Sequence, residues 1–344
     1  MKISKIFCSI SFIWAAESYI QYPSDDGSRD NGYYSIPVPE TFKLVRRQLF
    51  PNYHISMPLL ESYPNGNLSS IQRVIIVIPG KRRDCWRSAT QIRNAHFTAT
   101  ERNLVSKGVA IVSPCFLAEV DKSAGAGQLD DFAFRLTTWA SGQKATSPVS
   151  ATTISSYDII DALVETYLDL TKYPKVQAIV VAGHSLGGQA VQRYAAIAKG
   201  RPQESRIHYW VGNPGSILWL VEDRPYPEIA ARCYGFDRFK FGLSGGFPAY
   251  NLQSVVAMGR NGIVDRYRAR HIHHLWGLDD FGPGDIRCQA KAQGNTHLER
   301  GQNFDNSLSH LDSLTNNTVS YVTDVAHDAA QMFSSTEGLK RLFL

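Results

Sequence analysis

Between the apolar run Gln177 to Ala182 and the helix-forming run Gln189 to Lys199, closed by Gly200, the chain reads Gly183-His184-Ser185-Leu186-Gly187-Gly188. A Gly-x-Ser-x-Gly match by itself recurs often by chance. Set between a strand and a helix, it describes a sharp turn where glycines let the chain pass close to itself and the central serine is held at a sheet edge. Such a turn belongs to a parallel sheet covered by helices, so the rest of the chain has to supply more strands of the same kind.

It does. After a polar leader rich in Asp, Gly and Ser (residues 23–32), two strand-like runs, 42–50 and 53–61, flank Pro51-Asn52 and read as an antiparallel hairpin. From there apolar strands alternate with helical stretches, and strands are expected at 73–79, 109–113, 176–182, 206–211, 270–277 and 319–325. Ile154, Ile159, Leu163, Val164, Tyr167 and Leu168 recur at helical spacing, with Ser155 or Ser156 as cap and Pro174 as terminator. The stretch 213–269 breaks the alternation with Pro, Gly and aromatic residues and reads as an inserted lid. There is no internal repeat. With 344 residues, 43% hydrophobic and 11% aromatic, the chain can bury a large core as one domain with an insertion or as two domains.

The 36 Lys and Arg against 31 Asp and Glu give a net +5, spread along the chain, so nucleic acid is not an expected partner. Lys2 and Lys5, the apolar run Ile6 to Ala16 and the polar stretch from Glu17 have the layout of a secretory signal peptide over residues 1–18. That run is too short for a stable membrane span. Its removal would take Cys8 and leave Cys85, Cys115, Cys233 and Cys288, an even set compatible with two disulfides in an oxidising compartment, the pairing being open. Asn67-Leu68-Ser69 and Asn316-Asn317-Thr318 are glycosylation acceptors. A secreted protein is therefore expected, its main folded domain spanning 33–344.

A serine is a weak nucleophile until a base takes its proton, normally a histidine oriented by a carboxylate. On a strand-turn-helix scaffold of this type the order along the chain is Ser, acid, His. Of His208, His271, His273, His274, His297, His310 and His327, only His327 follows the last expected strand. The acid should follow the preceding strand, where Asp279 and Asp280 stand.

Through Gly183 to Gln189, Asn213-Pro214, Gly277-x-x-Asp280, Ala290 to Arg300 and His327-Asp328, the chain resembles the α/β-hydrolase superfamily over roughly residues 70–335, and within it a fungal and bacterial group. The resemblance implies an α/β-hydrolase fold: a mostly parallel sheet with helices on both faces and an inserted lid. It implies a catalytic triad of Ser185, Asp280 and His327, the Gly-x-x-Asp pattern favouring Asp280 with Asp279 as second candidate. It also implies an oxyanion hole from the Leu186 amide and one from the loop Pro79 to Asp84, with Lys81 first and Arg82 second. Members usually carry His-Gly where this chain has Pro79-Gly80, a departure that bears on the geometry of that loop.

A serine at the elbow argues against dehalogenase and most epoxide hydrolase chemistry, which uses Asp there. Acyl transfer to water is left, with a small-molecule carboxylic ester or lactone as the expected substrate and no metal or organic cofactor. A non-hydrolytic lyase or cyclase on the same residues, and a catalytically silent binding protein, are the alternatives. Oligomeric state is open. Trp219, Phe239 and Phe241 are the candidate substrate-binding residues of the lid. His271, His273 and His274 invite a metal reading but are expected to satisfy local hydrogen bonds. Lys81, Arg82 and Arg83 read as a solvated loop rather than an anion site, and Asp130 and Asp131, adjacent on a strand, would point apart and form no glycosidase pair.

Overall fold

The computed structural model describes residues 19–64, 68–105, 108–311 and 316–344. The expected signal peptide and Asn67 lie outside the described residues. The eight strands of the main sheet are numbered here along the chain. β1 (Lys43–Arg47) and β2 (Met57–Ser62) form the antiparallel hairpin. They are followed by β3 (Arg73–Ile78), β4 (Val109–Pro114), β5 (Ala178–His184), β6 (Ile207–Gly212), β7 (His271–Gly277) and β8 (Thr318–Val322). Across the sheet the order is β8-β7-β6-β5-β3-β4-β2-β1, parallel from β3 to β8, with β2 antiparallel to β4.

The central strands read as unbroken apolar runs because both of their faces are buried. In β3, Val74, Ile76 and Ile78 enter one core while Ile75 and Val77 enter the other, and β5 divides Ile179 and Val181 from Val180 and Ala182 in the same way. The helices α1 (Cys85–Glu101), α6 (Ala329–Ser334) and α7 (Thr336–Phe343) cover one face with Trp86, Ile92, Phe333 and Leu342. The other is covered by α2 (Ser156–Leu168), α3 (Leu186–Ile197), α4 (Leu252–Ala269) and α5 (His297–Ser309) through Leu163, Tyr194, Ile263 and Phe304. Of the two serines available to cap α2, Ser155 is used: its hydroxyl accepts from the Asp158 amide while Asp158 accepts from the Ser155 amide.

Two disulfides, Cys85–Cys115 and Cys233–Cys288, account for the four cysteines of the described residues. The first joins the start of α1 to the end of β4. Among the described residues no helix is long and apolar enough to cross a membrane. Half-buried Asn316 donates its side-chain amide to the Ala269 carbonyl at 2.8 Å.

Two expectations need correction. The packed body begins before residue 33, because the leader is anchored on α1: Asp25 accepts from Trp86 Nε1 at 3.0 Å and the Tyr33 ring meets Trp86 edge-on at 4.8 Å. The stretch 213–269 is not a cover over Ser185. Its second part is α4, a sheet-covering helix, and its first part packs onto the same helical face. Trp219 is 1% exposed and packs edge-on against Phe304, Phe241 is buried under the Arg287 guanidinium, and Phe239 packs on Phe247.

Two of the three histidines of β7, His273 and His274, meet local hydrogen-bond partners as expected, while His271 stacks on the His208 ring at 4.7 Å. His273 lies 3.2 Å from His208 and 2.9 Å from Thr318 Oγ1, and His274 lies 2.9 Å from the Tyr267 hydroxyl on the opposite face.

Candidate active site

Ser185 sits between β5 and α3 at φ 58° and ψ −120°, a strained conformation for a residue with a side chain. Its amide donates to the Gly212 carbonyl at 2.9 Å, which holds the turn against β6. The flanking glycines are dictated by space. A Cβ on Gly183 would stand 2.4 Å from the Gly187 carbonyl carbon, and one on Gly187 would stand 2.4 Å from the Ile78 carbonyl oxygen. Below the turn, fully buried Arg193 of α3 donates to Gln189 Oε1 at 2.7 Å and to Ser216 Oγ at 3.1 Å, tying the helix to the loop after β6.

The histidine and the acid arrive on two loops that are stitched together. The Asp279 amide donates to the Val325 carbonyl at 3.0 Å, and the Leu278 amide to Val322 at 2.9 Å. Buried Asn213, at the end of β6, accepts from the Gly277 amide at 2.9 Å and donates to the Ala326 carbonyl at 3.3 Å, so one side chain braces both loops. A Cβ on Gly277 would fall 2.3 Å from the Val325 carbonyl oxygen, which explains a glycine there.

This brings three of the sequence-expected residues into line. His327 Nε2 lies 2.9 Å from Ser185 Oγ, and His327 Nδ1 lies 2.6 Å from Asp280 Oδ2. Asp280 is 1% exposed, whereas Asp279 faces solvent. Burial pushes the Asp280 carboxyl up, but contacts with His297 and His327 outweigh it and hold the group well below the usual carboxylate range. With Asp280 ionised, the Nδ1–H of His327 is the donor to it, and Nε2 is left free to accept from the serine.

His297, among the histidines of the sequence but given no role there, is the second group on the acid. Its Nδ1 approaches Asp280 Oδ1 to 3.0 Å, off the line a hydrogen bond prefers, and its ring stacks on His327 with centroids 4.1 Å apart. Burial, against the pull of Asp280, holds His297 below the usual imidazole range. Its sequence signal was its place within Ala290 to Arg300, one of the stretches that carry the superfamily resemblance. The His184 ring lies 4.6 Å from that of His327, and burial followed by that neighbour drives its pKa well down, so it is neutral. Asp280, His297 and His327 present ligand atoms within 4.8 Å of one another, a spacing a cation could use. The same atoms already engage one another and Ser185, so an ion there would compete with that chain.

A cavity of about 600 Å³ opens beside Ser185 and His327. Its walls are the loop after β3, the first turns of α1, the His327 loop with α6, and Tyr22 from the N-terminal segment. Lys81 is part of that wall, and Leu186 opens α3 directly after the serine. Trp219, Phe239 and Phe241 are absent from it, and so is every residue of 213–269. Aromatic content alone could not separate a wall from packing: Trp219 packs on Phe304 of α5, Phe241 on Arg287 and Phe239 on Phe247 within the insertion. The His327 side chain accordingly remains 35% exposed.

The strand order, the serine turn between β5 and α3 and the helices on both faces are those of the α/β-hydrolase fold. No protein-family model matches the chain, and no curated protein matches it. Solved structures do. LpqC, a poly(3-hydroxybutyrate) depolymerase from Bordetella parapertussis, aligns at a TM-score of 0.53 and 16% identity over 85% of this chain and 86% of its own. Poly(aspartic acid) hydrolase-1 from Sphingomonas sp. KT-1 aligns at 0.54 and 17% identity over 85% and 95%. These likenesses are of fold and do not single out the fungal and bacterial group.

Proposed function

We propose that the protein is a serine hydrolase that cleaves a carboxylic ester or lactone through an acyl-enzyme on Ser185. The observation that carries this reading is the unbroken chain of contacts Asp280–His327–Ser185, at 2.6 and 2.9 Å, on a strained strand-to-helix turn that opens into a cavity. His327 takes the proton of Ser185 as Oγ bonds to the substrate carbonyl carbon, and Asp280 keeps the imidazole in the required tautomer and stabilises its cation. The amides of Leu186 and Lys81 are assigned to the developing oxyanion. Collapse of the tetrahedral species breaks the bond to the alcohol oxygen, which takes the proton from His327. Water, deprotonated by the same nitrogen, then releases the acid and restores the serine. The names of the two solved relatives add an analogy at the level of fold, no more.

A fluorophosphonate probe tests this assignment. Labelling of the folded protein that maps to Ser185 and is lost in Ser185→Ala is expected; a folded protein that takes no label at Ser185 would favour the silent binding reading.

We also infer maturation in an oxidising compartment, supported by the disulfides Cys85–Cys115 and Cys233–Cys288. Protein collected from a eukaryotic secretion host should begin near Tyr19 and titrate no free thiol after denaturation. An intact Met1 terminus with titratable Cys85, Cys115, Cys233 and Cys288 would contradict it.

A further inference from the structure

The cavity beside Ser185 is completed by a segment whose polar composition put it outside the expected domain. The Ile20 amide donates to Asn94 Oδ1 at 2.9 Å, and Asn94 returns a bond to the Ile20 carbonyl at 3.1 Å. The Tyr19 hydroxyl lies 2.7 Å from Thr98 Oγ1, and its ring meets Phe97 edge-on. At the other end the Asp25 carboxylate accepts from Trp86 Nε1 at 3.0 Å and pairs with Arg82 at 2.8 Å and Arg87 at 3.3 Å. Residues 19–25 are thus a strap fastened to α1 at both ends.

Between the fastenings stands Tyr22. It is 41% exposed, shares the cavity wall with Ser185 and His327, and has the Arg87 guanidinium 5.9 Å from its ring centroid. The groups around it are strongly polar: Lys81, Arg82, Asp84, Arg87 and Gln91 line the same space, with Ile78 and Phe333 as the large apolar contributors. Arg82 and Arg87 both reach Asp25 and Asp84, so the strap carboxylate also fixes the two guanidiniums in place. A long alkyl chain in this space would strip water from those groups and offer no hydrogen bond in return, a net cost. A short acyl or alcohol portion bearing polar atoms would not.

We propose that the strap 19–25 is the specificity wall of the cavity, and that Tyr22 on it selects compact, polar esters against long aliphatic ones. This rests on the serine hydrolase reading of Ser185. The test uses the full chain as wild type, Tyr22→Phe, Tyr22→Ala and Asp25→Asn, measuring kcat/KM for p-nitrophenyl esters from acetate to decanoate, with fluorophosphonate labelling and melting temperature in parallel. The wild type should lose roughly tenfold or more between butanoate and decanoate, and Tyr22→Ala should narrow that gap by about tenfold. Tyr22→Phe should narrow it less. Asp25→Asn, whose side chain does not line the cavity, should move the ratio the same way because it releases the strap; if it fails to fold, the two Tyr22 variants decide. An unchanged ratio in Tyr22→Ala while Ser185 still labels would overturn the strap, as would a wild type that prefers decanoate. A wild type that neither labels nor turns over any ester would overturn the hydrolase reading and this inference with it.

Discussion

Asp279 and Asp280 are chain neighbours with opposite surroundings, one in solvent and one buried between two imidazoles. Local sequence could not tell them apart, since both follow β7 and both precede Phe281; only the superfamily pattern favoured the second. The geometry gives the difference a consequence that can be measured. Asp280→Asn should lower kcat by roughly 10³–10⁴-fold, because an amide facing Nδ1 can settle the imidazole in the wrong tautomer. Asp279→Asn should stay within a few-fold, and the reverse ranking, measured on one ester with both variants folded, would transfer the role. His297 shows what the chain order hides. It contributes to the acid from α5, and no spacing rule links it to Asp280 or His327.

Elements were the most legible level. Strands buried on both faces announce themselves as apolar runs, and each of the expected parallel strands lies within a few residues of its place. The strap was illegible for the converse reason: Asp25 and its neighbours look like a solvated leader until Trp86, Arg82 and Arg87 are brought beside them. The packing of the insertion is not legible in the sequence, because Trp219 and Phe241 carry no mark of which side they bury. Asn213 belongs to this level, since it acts by joining loops. Asn213→Ala strands the buried Gly277 amide, at a cost of about 1–3 kcal/mol, and unfastens the exposed Ala326 carbonyl. Both the melting temperature and kcat should fall. A stability loss with kcat unchanged would mean that Asn213 braces the fold without aligning Asp280 and His327.

For the whole molecule, buried histidines set the response to acid. Burial, with neighbouring imidazoles or cations at the first two, pulls His208 to about 4, His273 to about 3 and His274 to about 3. The unfolded chain, with imidazoles near their ordinary value, binds more protons than the native state from about pH 6.5 downward, so stability falls as pH falls. Each histidine contributes roughly 1 kcal/mol per pH unit in that window. Asp84, pushed up to about 6 mainly by burial, opposes them, since there the native state holds the extra proton. Among the described residues five histidines shifted down, with His184 and His297 joining these three, stand against two carboxyls shifted up, Asp84 and Asp131, and leave a net loss. Urea unfolding at pH 7, 5.5 and 4 should therefore show steadily decreasing stability, and a flat or rising profile would contradict neutral burial of these rings.

Ser185, His327 and Asp280 are proposed to act as one catalytic unit, and a double-mutant cycle reads that coupling. Measured on a single activated ester with folded protein, Ser185→Ala and His327→Ala should each lower kcat/KM by roughly 10⁴-fold or more, and the double variant should lose scarcely more than either single one. A double variant whose loss equals the product of the two single losses, or a Ser185→Ala protein that keeps most of its activity, would contradict it.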